Sequence, residues 1–457
     1  MKTRALAILS VLALLAVACG QKPGVHARGV AQGLTGIPGA GTGAVFDPET
    51  GQYVDPTTGQ VVDPGTGTAV GGTTTAPAAG NPGGTSTGAG AASAGSVGKE
   101  IVIGLHAPVT GAAPVRSDSF NTGKDLYWNF GNKGKKVTVH GRTVKVVFRD
   151  DRYNPSTARA KCQELAEGEK AFLLIGGAGT DQIKACADYA AANGIPYLSA
   201  GVLEDALRGN PYYFALSMSY KQQGKLLAQY IKKRLPCRPS CSVMAIVTDT
   251  ANFDDALQGF QAAYGNNVTV VRPSKSARGS QYADDVCADV ANQPDVVFPL
   301  TSPTFFLELE GSAACDPQYV GVGVSMGLDT VANVGCASST GSMNGAKFFS
   351  PSYSYDEVNR QRSAPDKAFK RAGGYDDIQF LLWGLMRTIH QMLDETGPNL
   401  SRQSFIAAVQ GSSFKSEVFP DLKYSPNNHF GASTVHVLRA DCSKRAFVTE
   451  AKNRSGF

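Results

Sequence analysis

The chain has 457 residues, 42% of them hydrophobic and 18% charged, with a formal net charge of +5. That length exceeds what a single hydrophobic core usually organises, so more than one compact unit is expected. The charge excess is too small to imply a nucleic-acid partner, and no cluster of Lys and Arg is interleaved with aromatics.

The N-terminus, Met1-Lys2-Thr3-Arg4, precedes an apolar run from Ala5 to Ala18. The run is too short to span a bilayer comfortably, but it suits the apolar region of a signal peptide. It ends in Leu15-Ala16-Val17-Ala18-Cys19-Gly20, which resembles a bacterial lipobox, although Ala16 stands where Leu is usual. The resemblance implies a lipoprotein signal peptide with its lipobox Cys at residues 1–19, cleavage that leaves Cys19 as the new N-terminus, lipidation of Cys19 and attachment to the membrane through that lipid. Ordinary secretory cleavage after Ala18 is the simpler alternative. No later stretch reaches transmembrane length.

Residues 20–98 are mostly Gly, Thr, Ala, Pro and Ser. Such a composition cannot bury enough surface to offset its ordering entropy, so a disordered tether is expected. Within it, Asp47-Pro48, Asp55-Pro56 and Asp63-Pro64 recur eight residues apart, each followed by Thr-Gly. This is turn chemistry repeated as a spacer, without the ligand density of a calcium site.

From Lys99 the texture changes. Ile101–Leu105 reads as a buried strand, Asp118–Phe130 as a helix and Val144–Phe148 as a strand. Ser156–Glu167 reads as a helix, Ala171–Ile175 as a strand, Thr180–Asn193 as a helix and Pro196–Ser199 as a strand. A second series opens at Val243–Val247 and runs through a helix at Asp254–Tyr264, a strand at Val268–Val271 and a helix at Gln281–Asn292. The strand Val296–Leu300, helix Thr304–Ala314 and strand Tyr319–Val324 complete it. One long helical segment, Pro365–Met392, and an extended run, Ser433–Leu438, close the chain. Strands alternating with helices indicate an α/β fold with parallel sheets, and two such series in residues 99–457 indicate two lobes. Boundaries are expected near 99–220 with 353–400 for the first lobe, and 221–352 with 401–457 for the second.

Of nine cysteines, Cys19 is reserved for lipid and eight remain, which in an exported chain reads as a disulfide set. Cys162 and Cys186 flank the strand at Ala171 through neighbouring helices, and Cys287 and Cys315 do the same around Val296. These placements suggest two pairs and leave Cys237, Cys241, Cys336 and Cys442 for the others. Cys237 and Cys241 have no His near them, so no metal site is expected, and no cofactor either.

The ordered motifs are more specific. Ile101 to Pro114, reading IVIGLHAPVTGAAP, is similar to the opening strand and loop of the type I periplasmic binding proteins, in particular the leucine/isoleucine/valine-binding group. So are Arg149-Asp150-Asp151-Arg152-Tyr153-Asn154-Pro155, Ile175-Gly176-Gly177-Ala178-Gly179-Thr180, Gly194-Ile195-Pro196-Tyr197-Leu198-Ser199 and Gly374-Tyr375-Asp376-Asp377. The resemblance implies two Rossmann-like lobes joined by crossover strands, a small-molecule solute held between them, and delivery to an ABC permease from the extracytoplasmic face of the cell membrane. A ligand-sensing lipoprotein without a transport role would share the fold. The pair Cys162–Cys186 falls where such proteins often carry a disulfide.

The same resemblance places Arg116, Gly179, Thr180, Ala200, Gly201, Phe253, Ser302 and Ser325 at the ligand. Thr180 has a plainer reading as a helix N-cap, and Phe253 and Ser302 as packing or a cap. Amino-acid binders have a hydroxyl after the strand at Pro196 and an acid near Gly321–Ser325 that meets the ammonium; this chain has neither. A buried ammonium without a counter-charge is costly, so an uncharged or anionic solute is expected, with Arg116 facing it.

One enzyme motif needs weighing. Gly323-Val324-Ser325-Met326-Gly327 fits the nucleophile-elbow pattern, and Asp376 with His390 or His436 could complete a hydrolase triad. The following residues do not form a long apolar helix, so a non-enzymatic role is favoured.

Overall fold

The computed structural model describes residues 45–47, 52–54 and 98–457, except 112, 132, 201–206, 208, 250, 266, 288–292, 339–342 and 416. The leader, Cys19, most of the tether and Gly201 lie outside the described residues. The chain divides into two compact units at Thr87/Gly88. In the first, strands Val45–Asp47 and Gln52–Val54 pair antiparallel.

In the second unit, one sheet has five parallel strands in the order Thr143–Asp150, Glu100–Ala107, Leu173–Gly176, Tyr197–Ser199, Tyr213–Ala215. Helices Ser117–Phe130, Asp377–Thr396 and Arg402–Gln410 cover one face, and Pro155–Gln163 and Thr180–Ala192 cover the other. Ile101, Ile103 and Leu105 enter the first core while Val102 packs on the second. Burial on both faces explains why these strands read as unbroken apolar runs.

The other sheet has seven strands in the order Ala446–Arg454, Val435–Asp441, Lys347–Ser350, Gln318–Val322, Val296–Leu300, Val243–Val247, Thr269–Val271. The last five run parallel; the two formed late in the chain are antiparallel. Helices Tyr220–Arg234 and Ala251–Tyr264 share one core with this sheet. They cross backbone to backbone: a Cβ at Gly224 would stand 2.1 Å from the Ala256 carbonyl oxygen, and one at Gly259 would stand 2.0 Å from that of Lys221. The chain passes between the lobes three times, near 216–219, 351–354 and 433–434.

Several expectations are corrected. The segment Pro365–Met392 is two helices, Ala364–Arg371 and Asp377–Thr396. Gly373 at φ +92° breaks it, and Asp376 caps the second helix by accepting from Gln379 N at 2.8 Å. Residues 401–432 belong with the first lobe rather than the second: Arg402 donates to the carbonyls of Ala171 and Phe172, and Phe405, Val409, Phe414 and Leu422 lie in its core. The final run at Ser433 is the first strand of a hairpin, with Ala446–Arg454 as its partner.

Disulfides join Cys162–Cys186, Cys287–Cys315, Cys237–Cys241 and Cys336–Cys442. The first staples the two helices on one face of the five-stranded sheet, and the last ties helix Asp329–Gly335 to the C-terminal hairpin.

Candidate functional site between the lobes

Both sheets place their first strand inside the second and third, so the strand order reverses at one point in each. In the first lobe this lies between Glu100–Ala107 and Leu173–Gly176; in the second, between Val243–Val247 and Val296–Leu300. Open parallel sheets bind ligands beyond the carboxyl ends of the strands at such a reversal. Here the two reversals contribute to one cavity of about 240 Å³, lined by Val115, Arg116, Gly179 and Thr180 from one lobe and Phe253, Ser302, Thr304 and Ser325 from the other.

On the first lobe, two adjacent carboxylates shape the loops. Asp150 accepts from the N–H groups of Val109 and Arg152, both at 3.0 Å, and from the Thr110 hydroxyl at 2.5 Å. Burial opposes its ionisation, but these donors prevail and hold its carboxyl below the usual range. Asp151 lies 2.7 Å from His106 Nδ1 and accepts from Tyr153 N at 2.9 Å, while His106 Nε2 lies 2.8 Å from the Tyr197 hydroxyl. His106 and Asp151 are fully buried. The network locks Arg152 and Tyr153 at φ +56° and +54° and sets Tyr153 in the cavity wall. Gly111 makes the complementary approach: at φ +95°, its Cβ would stand 2.1 Å from the Arg152 carbonyl oxygen.

Helix Thr180–Ala192 opens onto the cavity with Gly179, at φ +80°, as its N-cap. Thr180 is therefore the first helical residue and not the cap. Gly179 offers no side chain to the first-turn N–H groups, and such a terminus favours negative charge. The second lobe differs. Ser302 caps its own helix, Pro303–Ser312, accepting from Phe305 N at 3.2 Å, and Pro303 has no N–H to give.

Arg116 is the one charged residue among the described residues lining this cavity, while Asp181, Lys275, Arg278 and Glu308 line an adjoining space that shares Tyr153, Thr180, Phe253, Ser302 and Thr304 with it. The Arg116 side chain is half-exposed, 3.6 Å from Asp118. Tyr153 and Tyr220 are also in the wall. Burial raises both phenols, Tyr220 up to about 12, so both remain neutral O–H groups at ordinary pH.

Several contacts bridge the lobes, among them Lys444 Nζ, 2.8 Å from Asp356, and two beside the cleft. Asp329 N donates to the Asp377 carboxylate at 2.7 Å, and Lys275 Nζ meets Asp181 at 3.1 Å. Burial and neighbouring carboxylates raise both Asp329 and Asp377 above the usual range.

Six expected ligand residues, Arg116, Gly179, Thr180, Phe253, Ser302 and Ser325, line this cavity; Ala200 lines a smaller chamber beside it. Tyr220 was missed although Ser219 and Gln222 form a capping box that announces its helix. Tyr153 stood within a recognised motif, but its positive φ needs the buried acceptors to explain it.

The hydrolase reading fails on geometry. Ser325 sits in a four-residue 3₁₀ turn, Val324–Gly327, rather than at the start of a long helix. Asp376 is occupied by the Ser119 hydroxyl at 2.5 Å, and His390 by Tyr127 at 2.8 Å and Asp394 at 3.2 Å. His436 is buried with neither ring nitrogen bonded to protein, and burial pushes its pKa down to about 3.

A two-lobed α/β frame with a reversal point from each lobe on one cavity defines a small-ligand binding protein that encloses its ligand between lobes. The periplasmic binding protein family model matches residues 100–446, and the chain belongs to that family. Similar solved structures include a solute-binding protein of an ABC transporter from Rhodopseudomonas palustris BisB5 in complex with 3,4-dihydroxybenzoic acid. It is 18% identical, with a TM-score of 0.62 over 79% of this chain and 99% of that one. A leucine-binding protein from Thermotoga maritima is 14% identical, with a TM-score of 0.63 over 77% and 98%. A fatty acid ABC transporter substrate-binding protein from Thermomonospora curvata is 15% identical, with a TM-score of 0.64 over 79% and 94%. No curated protein sequence matches the chain.

Proposed function

We propose that the protein captures a small apolar carboxylate between its lobes and delivers it to an ABC-type permease, without catalysing a reaction. The cavity composition carries this reading: one cation, Arg116, an uncapped helix start at Gly179, hydroxyls at Thr180 and Thr304, and apolar walls from Phe253, Leu300 and Met326. Within this cavity an amino-acid ammonium would meet no carboxylate, and burying it unpaired is costly. Structural neighbours that hold a dihydroxybenzoic acid, or are named for fatty acids, fit the same chemistry. The lipobox-like Ala16-Val17-Ala18-Cys19 supports an extracytoplasmic place, anchored to the membrane by lipid on Cys19.

A thermal-shift screen of carboxylates, sugars and amino acids tests the reading. A solute at 100-fold its Kd should add about 2.7 kcal/mol of stability. Carboxylates should give the leading shifts, and Arg116→Ala should weaken them more than it weakens neutral solutes. Shifts led by sugars, or by leucine and valine, would remove the proposal.

A further inference from the structure

The cleft does not end at its main cavity. A second chamber of about 70 Å³ opens beside it, mostly within the first lobe, beneath helix Asp377–Thr396. Val115, Ala178, Ser325, Leu328 and Ile378 line both spaces, so the two are continuous. The inner walls are Phe120, Leu216, Leu382, Leu385 and Phe419. No charged residue lines the chamber among the described residues, and its one hydroxyl, Ser325, lies on the boundary shared with the main cavity.

The two spaces differ in polarity. Arg116, Thr180, Tyr153, Thr301 and Ser302 line the main cavity only. A buried water needs two to four polar partners, and the chamber supplies one hydroxyl, so it favours hydrocarbon over water. Interiors otherwise pack with few voids of this size. An opening maintained next to a ligand site, apolar and joined to it, is a subsite.

We propose that this chamber receives the aliphatic tail of the ligand, so that the protein's solutes are tailed carboxylates: a head group at Arg116 and the Gly179–Thr180 helix start, a body in the main cavity, and an alkyl end beneath helix Asp377–Thr396. This rests on the cleft-binding reading above and adds the tail subsite to it. The chamber has about half the volume of the roughly 150 Å³ cavity that holds a benzene ring, which leaves room for a tail of roughly three carbons.

The test is calorimetric titration of the full-length protein with benzoate and with 4-ethyl-, 4-propyl- and 4-hexylbenzoate. Each methylene that enters the chamber should lower Kd about fourfold, and the gain should stop near propyl. Leu381→Trp, on the chamber wall and outside the main cavity, should erase the gain while leaving benzoate affinity unchanged. Leu385→Ala should move the stopping point to a longer tail, which keeps the test decisive if the tryptophan variant does not fold. Equal affinity for benzoate and 4-propylbenzoate would overturn the subsite and leave the cleft reading intact. An alkyl gain that persists in Leu381→Trp would place the tail elsewhere and also overturn it. Failure of every carboxylate, benzoate included, would overturn the cleft reading and the subsite together.

Discussion

The two strand-order reversals share a topology and differ in chemistry. In the first lobe the helix beyond the reversal begins at a glycine, and the adjoining loops are held by Asp150 and Asp151. In the second, Ser302 and Pro303 complete their own helix start. The first-lobe helix start thus has no side-chain cap from its N-cap residue, and the second-lobe one has. The first lobe also supplies most of the tail chamber, while the second carries three of the four disulfides.

The largest expected effect follows from Gly179. An alanine there must adopt φ +80°, a conformation costing about 1–2 kcal/mol for an L-residue, and its Cβ would stand 2.2 Å from Gln182 Oε1. Carboxylate affinity should fall about tenfold or more, since a displaced helix start loses about 1.4 kcal/mol or more of ligand contact. Titration of Gly179→Ala checks this, and unchanged affinity would show that the helix start does not touch the ligand.

A smaller effect concerns the bridge between the lobes. Asp329 and Asp377 bind protons more tightly folded than unfolded, because burial and neighbouring carboxylates raise both groups. Stability contributed by the protonated forms is full below the ordinary Asp range near pH 4 and is lost as pH rises towards neutrality. Asp329→Asn should retain the acceptor for Phe447 N and flatten that decline. Denaturant midpoints measured from pH 4.5 to 8 should show the variant gaining relative to the parent as pH rises. A parallel pair of profiles would sever this bridge from the titration.

The smallest effect on binding should come from Ser302→Ala. Losing the cap costs about 1 kcal/mol of stability, yet affinity should change less than about threefold because the Ser302 hydroxyl already serves Phe305. If Ser302→Ala weakens binding as much as Gly179→Ala, the asymmetry between the lobes is gone.

Much of this was legible in the sequence because its signals are local. The alternating apolar runs mark both sheets, and Gly176-Gly177-Ala178-Gly179 marks the turn into the helix at Thr180. What escaped depends on long-range partners. Residues 401–432 join the first lobe through Arg402 and the carbonyls of Ala171 and Phe172, more than two hundred residues away. Tyr153 reaches the cavity because buried His106 and Asp151 fix its loop. The helix at Tyr220 could have been read from its capping box, whereas the return crossing near 433–434 could not, since crossings have no periodicity to read.

The central claim is that the cavity between the lobes selects a carboxylate and rejects an α-amino acid. Competition calorimetry answers it directly: benzoate is titrated into the full-length protein, alone and in excess leucine. The account predicts saturable one-to-one binding of benzoate that excess leucine leaves unchanged and that Arg116→Ala weakens. Displacement of benzoate by leucine, or tighter binding of leucine than of any carboxylate, would contradict it.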